Sequence, residues 1–465
     1  MLLSLSMSES SDPQQLRRQL GATQMAMVAV GGSIGTGLLL GSGEAIRISG
    51  PAVIITYVIA AAIMWVVAIA MGELASRHPA AGSFGVYAEL YLNSWAGFIA
   101  RYGYWVAMVI SIGAEMAAAA TYMRYWIPAI PGAVWVLLFG TLLVGINLWQ
   151  VGHYANFEAW FSATKILTIV LFIVVGGALL ARGTVPDQFT RNNGFFPNGM
   201  VAPLLAVAFA IFTFGGVEMV AISSGEARSA KEVSGATRRM FAMLLFLYLG
   251  SIVVLVGMMP WHQAGVSQSP FVTVLAFVGV PRASDVMNLV VLTAALSGAN
   301  GSLYVASRTL FSLARGGYAP VALGRLTKAG SPLPALMASS GGIAIAFVME
   351  QLVPQRAYLW MLGIALFGGF AAWLVALAAH ISSRRTIAPA ELASLPLRVP
   401  GGAVTSAIGF VAMCGAWVAS WWTSLRITVL AAPVVLGILS LAYWLGQKSR
   451  RGLTTKDKKV HEVLP

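Results

Sequence analysis

Long apolar stretches follow one another along almost the whole chain, separated by short polar connections. Each stretch is roughly 20 residues long, the length that an α-helix needs to cross the hydrocarbon core of a bilayer. The connections are too short to hold a second folded domain. The pattern therefore predicts twelve membrane-spanning helices, over residues 22–47, 51–76, 95–126, 133–150, 158–182, 200–226, 237–260, 284–314, 333–351, 358–382, 404–422 and 427–447.

The composition agrees with this pattern. Of the 465 residues, 58% are hydrophobic and 10% are charged, whereas soluble domains have about a quarter charged residues. We therefore expect an all-α integral membrane protein, surrounded by the lipid bilayer. The net charge of +13 would suggest nucleic acid as the partner of a soluble protein, but in a membrane protein it is the placement of Lys and Arg that carries information.

That placement predicts the orientation. With a cytosolic N-terminus, roughly 21 of the 29 basic residues lie on the inner side of the membrane, as the positive-inside rule requires. We expect a multi-pass protein of the cytoplasmic membrane with both termini in the cytosol. Residues 1–21 then form an N-terminal tail, and residues 448–465 form a basic C-terminal tail near the lipid headgroups.

Cysteine and histidine usage indicates no metal or redox chemistry. The single cysteine, Cys414, lies inside an apolar stretch, and the five histidines are scattered along the chain. The sequence therefore predicts no disulfide framework and no metal site. A nucleophile–base pair is not visible either, so we expect neither an enzyme nor a bound cofactor.

The first apolar stretch is interrupted, because Gly31–Gly43 contains six glycines. A backbone N–H or C=O freed in hydrocarbon costs several kcal/mol unless it is paired, so such a break survives only in packed protein or at a wet cavity. A half-helix N-terminus offers amides and partial positive charge, which suit a carboxylate. The predicted carboxylate contacts are Ser33, Ile34, Gly35, Thr36 and Gly37.

This stretch has two other interpretations. Small residues also let membrane helices approach closely, so simple helix packing is an alternative. The glycines superficially match a nucleotide-binding loop, but no strand precedes them and no Lys-Ser/Thr pair follows.

A second interruption, at Phe214, Gly215 and Gly216, lies in the sixth stretch and is followed by Glu218. Carbonyl groups at the end of a half-helix would suit a substrate ammonium. We expect Phe214 to cover the substrate as an aromatic gate. A plain packing kink is the alternative.

Ionisable residues inside apolar stretches mark functional interiors by default, because they are costly in a membrane. Glu115 in the third stretch and Glu218 either contact a substrate amine or relay protons, or they bond backbone groups freed by the breaks. Lys165 in the fifth stretch either reaches the inner surface with its long side chain or loses its proton when buried.

Several ordered motifs resemble those of amino acid permeases in the amino acid/polyamine/organocation superfamily. They include Gly31–Gly43, Ser49-Gly50-Pro51-Ala52, Met71-Gly72-Glu73-Leu74, Gly82-Ser83-Phe84 and Gly225-Glu226-Ala227, and the resemblance covers nearly the whole chain. It implies a LeuT-type fold, in which two inverted five-helix repeats, 22–182 and 200–382, each open with a broken helix. Helices 11 and 12, within 404–447, then lie outside this ten-helix core.

The same resemblance implies a proton-coupled symporter that imports an amino acid by alternating access, with Lys165 as the proton-coupling residue. Val217 stands where relatives commonly have threonine. An amino acid exchanger and a sodium-coupled carrier remain alternatives, and a membrane amino acid sensor is a weaker one because no signalling domain is visible. The expected partners are therefore the amino acid, protons and lipid.

We expect further polar residues at gates and cavity walls. Glu73, Glu89 and Glu226 are expected near inner helix ends, paired with Arg77, Arg228 or Arg308. Ser297 and Asn300 lie one helical turn apart, and either line the cavity or join neighbouring helices by hydrogen bonds.

Overall fold

The computed structural model describes residues 21–78, 83–149, 151–184, 186–279, 282–327 and 331–451. Within these ranges the protein is helical and contains no β-strand. The N-terminal tail therefore lies outside the described residues except for Gly21. The C-terminal tail does so beyond Arg451, because the last helix continues to that residue.

Nineteen α-helices occur in the described ranges, several of them short or interrupted. The first nine are α1 Ala22–Ser33, α2 Ser42–Ser49, α3 Val53–Arg77, α4 Ser83–Tyr91, α5 Ser94–Trp126, α6 Gly132–Trp149, α7 Val151–Ala181, α8 Ala202–Leu205 and α9 Val207–Thr213. The others are α10 Met219–Ile222, α11 Ala230–Met258, α12 Pro270–Val278, α13 Ala283–Arg315, α14 Leu333–Ser339, α15 Gly341–Leu352, α16 Ala357–Ser383, α17 Pro389–Ser394, α18 Ala403–Ala419 and α19 Arg426–Arg451.

Nine helical segments in the described residues are long and apolar enough to cross a membrane: Gly37–Arg77, Ser94–Trp126, Ser162–Ala181, Ala230–Met258, Ala283–Arg315, Leu333–Leu352, Ala357–Ser383, Ala403–Trp422 and Arg426–Gly446. The number differs from the predicted twelve at three places. The second half of the first predicted stretch is continuous with the second stretch, as the segment Gly37–Arg77. The fourth predicted stretch forms the shorter helix Gly132–Leu148. The sixth predicted stretch is divided into α8, α9 and α10.

Small residues bring α5 and α16 together in the core. A Cβ atom added at Gly368 would overlap the backbone of Gly103 and lie 2.8 Å from the Ala107 side chain. Glycine and alanine at such positions let membrane helices approach until their backbones touch. This close packing fixes α5 and α16, which both carry side chains to the first break described below.

The connection between α16 and α18 is held by a buried charge cluster. Glu73 Oε2 lies 2.6 Å from Arg384 Nη2 and accepts the Val399 N–H at 2.7 Å, while Glu73 Oε1 lies 3.2 Å from His380 Nε2. The predicted pairing of Glu73 with Arg77 is therefore wrong. Arg77 instead pairs with Glu391, at 2.6 Å, because the connection brings other charges to both residues.

Glu89 also differs from the prediction. It pairs with Arg101 at 2.5 Å and accepts a hydrogen bond from the Tyr318 hydroxyl at 2.7 Å. These contacts join α4 to the start of α5 and to the turn that follows α13.

Candidate functional site

The first break separates α1 from the rest of the first apolar stretch. The helix ends at Ser33, Ile34 is extended with φ −82° and ψ 92°, and the chain re-enters through a single π-helical turn, Gly37–Gly41. Side chains would not fit here. A Cβ atom at Gly35 would lie 2.7 Å from Glu115 Oε1, and one at Gly37 would lie 2.9 Å from Phe212 Cδ1.

The amides of this break have partners within the protein. Ile34 donates to the Val30 carbonyl at 3.2 Å, and Gly35 donates to the Ser33 carbonyl at 3.1 Å. The Thr36 N–H donates to Glu115 Oε1 at 3.3 Å. The Glu115 carboxylate therefore takes the position at one amide that the sequence predicts for a substrate carboxylate.

Glu115 is buried, and only half of its carboxylate is satisfied. Its Oε2 atom has no hydrogen-bond partner among the described residues, and the same holds for Thr36 Oγ1 and the Tyr122 hydroxyl. An unsatisfied buried polar atom is unfavourable, so these atoms are candidate contacts for a bound polar group or water. Glu115 and Thr36 meet at the first break, and Tyr122 lies two helical turns after Glu115 on α5.

Lys165 projects from α7 to the carbonyl side of the same break. Its Nζ atom donates to Gly31 O at 3.0 Å, to Ile34 O at 3.3 Å and to Ser297 Oγ at 3.1 Å. The side chain is 2% exposed, so it does not reach the surface as the alternative interpretation required. The ammonium connects α7, the end of α1 and α13.

The second break, residues 214–218, lies between α9 and α10. Gly216 has a φ of +104°, which favours glycine. Glu218 Oε2 accepts the Gly216 N–H at 3.1 Å and the Trp373 indole N–H at 3.3 Å. Each break therefore gives one backbone amide to a buried glutamate, as the alternative interpretation of Glu115 and Glu218 proposed.

Phe214 opens the second break and is fully buried. Its ring stacks on Phe241 at a centroid distance of 5.9 Å and meets the edge of Tyr248 at 5.0 Å. Tyr57 lies 6.4 Å away. In this conformation Phe214 is part of an aromatic cluster between α3, α9 and α11.

Three tyrosine hydroxyls support the breaks, and sequence reasoning missed all of them. Tyr248 donates to the Ser33 carbonyl and Tyr358 to the Thr36 carbonyl, both at 3.0 Å, while Tyr57 bonds Thr213 Oγ1 at 3.1 Å. A buried tyrosine hydroxyl usually finds a partner. Tyrosines within apolar helices were therefore the available signal.

The remaining predicted residues have structural partners or lie apart. Ser297 accepts from Lys165, and Asn300 Oδ1 accepts from Asn147 Nδ2 at 2.6 Å. Both residues thus join neighbouring helices, which was one of their two predicted roles. Glu226 ends the short 3₁₀ turn Ser223–Glu226 after α10.

The site therefore combines two helix breaks with one buried ammonium and two buried carboxylates. These groups can bind a zwitterion and exchange protons. In the described ranges, no group of three or more His, Cys, Asp or Glu residues could hold a metal ion.

Comparison with known proteins identifies relatives of this architecture. The family model described as amino acid permease matches residues 24–452. The chain is 34% identical to the gamma-aminobutyric acid permease of Bacillus subtilis, over 94% of each protein. It is 37% identical to the amino-acid permease RocC of Bacillus subtilis, over 80% of this chain and 81% of the relative. It is 32% identical to the aromatic amino acid transport protein AroP of Escherichia coli, over 96% and 98% respectively.

Proposed function

This chain belongs to the amino acid permease family, and we propose that it is a proton-coupled symporter that imports an amino acid by alternating access. Its family members are transporters and not enzymes. The site supports transport, because its two buried carboxylates, one ammonium and two helix breaks suit a zwitterionic substrate.

The position of Lys165 is the observation that carries proton coupling. An ammonium has three N–H donors and no acceptor, whereas the neutral amine has two donors. Gly31 O, Ile34 O and Ser297 Oγ all accept from Nζ. After loss of the proton, two N–H groups remain for the two carbonyls, and the Ser297 hydroxyl can donate to the nitrogen lone pair. Charge-assisted hydrogen bonds are thereby replaced by weaker neutral ones, so protonation changes how firmly the end of α1 is held.

The same contacts disfavour sodium as the coupling ion. Backbone carbonyls and a hydroxyl are ligands that suit a sodium ion, but here the Lys165 ammonium binds them. A sodium ion at this place would meet a positive charge within hydrogen-bonding distance, and repulsion between two buried cations is strong in a low dielectric.

We propose that the substrate binds between the two breaks. Its carboxylate takes the Thr36 amide from Glu115, and its amino group approaches the second break near Gly215 and Glu218. The Thr36 hydroxyl, which has no partner among the described residues, then donates to the substrate carboxylate. The named relatives transport different substrates at nearly equal identity to this chain, so the proposal extends to amino acids as a class.

The proposed membrane arrangement has twelve crossings with both termini in the cytosol. Two interrupted helices, roughly 180 residues apart, each begin a five-helix unit, as expected for a LeuT-type inverted repeat. Residues 22–182 form the first repeat and residues 200–382 the second, while helices within 404–447 lie outside them.

Uptake by the purified full-length protein in proteoliposomes tests this function. A panel of labelled amino acids is offered with an inward proton gradient, with an inward sodium gradient, or with neither. We expect uphill accumulation of at least one amino acid with the proton gradient alone, abolished by a protonophore. Accumulation that needs sodium, or uptake only into vesicles preloaded with amino acid, would replace symport with one of the two alternatives.

A further inference from the structure

The two breaks touch each other. Ser33, the last residue of α1, lies against Gly216 in the second break. A Cβ atom added at Gly216 would overlap Ser33 Oγ and would lie 3.1 Å from Ser33 Cα. Glycine is required at such an approach both for space and for its positive φ. The end of α1 and the second break therefore form one packed contact.

The Tyr248 hydroxyl binds the end of α1, which is the part of this contact that belongs to the first break. It donates to the Ser33 carbonyl at 3.0 Å from α11, and the residue is fully buried. The last carbonyls of a helix have no partner within the helix. The hydroxyl thus ties the end of α1 to α11.

The Tyr248 ring contacts the second break. Its edge meets the ring of Phe214, the first residue of the second break, at 5.0 Å and 67°. Phe241, two helical turns earlier on the same face of α11, stacks on Phe214 at 5.9 Å. One side chain therefore touches the first break with its hydroxyl and the second with its ring.

We propose that Tyr248 is a positioning residue that couples the geometry of the first break to that of the second. If the Ser33 carbonyl moves, either the hydrogen bond breaks or the tyrosine follows it. A tyrosine that follows moves its ring against Phe214 in a close-packed interior, where neighbours must respond. The purpose of this coupling rests on the proposed transport, but the coupling itself is a property of the protein without substrate.

Tyr57 provides a matched control. It is also fully buried, its hydroxyl bonds Thr213 Oγ1 at 3.1 Å, and its ring lies 6.4 Å from Phe214. Unlike that of Tyr248, its hydroxyl bonds a side chain of α9 and not the Ser33 carbonyl. Tyr57→Phe therefore removes a similar buried hydroxyl and leaves the hydrogen bond to the Ser33 carbonyl in place.

Hydrogen–deuterium exchange of the full-length protein in nanodiscs, without substrate, tests the proposal. Peptides covering residues 31–41 and 212–222 report the two breaks. We expect Tyr248→Phe to speed exchange about 2- to 10-fold in both peptides, the effect of losing one buried hydrogen bond. Tyr57→Phe should speed exchange in residues 212–222 alone.

A second variant changes a residue of the second break. Phe214→Leu should speed exchange in residues 31–41, and adding it to Tyr248→Phe should give less than the sum of the two effects, because coupled residues are not additive. Faster exchange confined to residues 31–41 in Tyr248→Phe, or additive effects in the double variant, would overturn the coupling. The exchange measurement uses no substrate, so its outcome does not depend on whether the protein transports amino acids. A failure of the proposed coupling can therefore be distinguished from a failure of the proposed transport function.

Discussion

The Oε1 atom of Glu115 lies 3.3 Å from the backbone nitrogen of Thr36, at an amide where the sequence predicts a substrate carboxylate. A carboxylate of the protein thus binds where a carboxylate of the substrate is expected. The two cannot share one N–H donor, so substrate binding in this site requires that Glu115 move away or become neutral.

Glu115→Gln should therefore strengthen substrate binding. The amide side chain carries no charge, and a hydrogen bond to a charged acceptor is worth about 1 kcal/mol more than one to a neutral acceptor. We expect a dissociation constant about fivefold lower, measured by equilibrium binding of the labelled substrate to purified protein.

Glu218→Gln is the matched comparison at the second break, where the substrate amino group is expected. This variant should bind more weakly. Weaker binding by both variants would mean that Glu115 contacts the substrate amine directly, and would contradict the competition argued here.

Lys165→Ala should lose accumulation driven by an inward proton gradient and still bind substrate. Lys165→Arg should fail as well, since a guanidinium keeps its proton at every accessible pH. Uptake and binding are measured side by side in proteoliposomes. Lys231, exposed at the start of α11, is the control, and its substitution by alanine should leave uptake unchanged. Full proton-driven accumulation by Lys165→Arg would exclude Lys165 as the proton site.

Two glycines of the first break and one at the end of α1 allow a graded test of steric fit. Gly35→Ala and Gly37→Ala place a Cβ atom 2.7 Å and 2.9 Å from neighbouring side chains, whereas Gly32→Ala meets nothing within 4 Å. The first two should weaken substrate binding at least tenfold, and valine at either position should abolish it. Gly32→Ala should bind normally and be slightly more stable, since alanine in a helix is favoured over glycine by about 0.5–1 kcal/mol. Equal substrate binding by all three alanine variants would show that the first break is not part of the substrate site.

The orientation can be tested by labelling single cysteines, after Cys414, the one native cysteine, is replaced by serine. Arg191 and Gln263 are exposed and should react with an impermeant maleimide from outside the cell. Lys231 and Arg315 are also exposed and should react only after the membrane is opened. Gln188 is a poor choice because it is buried. Reversed labelling at any two positions would contradict the proposed membrane arrangement.

The broken first helix was predictable from sequence because glycine is both a poor helix former and the residue needed where backbone approaches other groups. The depth of Glu115 and Lys165 followed from their apolar surroundings, and the family resemblance singled out Lys165 as a functional residue. The partner of the Thr36 amide was not predictable, since it depends on how α5 packs beside the break.

Ion pairs were predicted least well, and the reason is physical. Arg77 follows Glu73 by four residues, a spacing at which opposite charges on a helix attract. That local attraction is weak, about 0.2–0.5 kcal/mol, and tertiary packing brings Arg384 and His380 to Glu73 instead. The tyrosines at the breaks were missed for a similar reason, because each acts on a helix far away in sequence.

The Glu73 cluster also limits which parts of the bundle can move separately. Its carboxylate joins α3 to α16 and to the backbone of the α16–α18 connection. Removing one member from such a buried group typically costs about 3–5 kcal/mol. In the proposed transport cycle, the ends of α3 and α16 should therefore travel as one rigid body, and the bending should occur in the interrupted helices, where no continuous backbone ladder resists it.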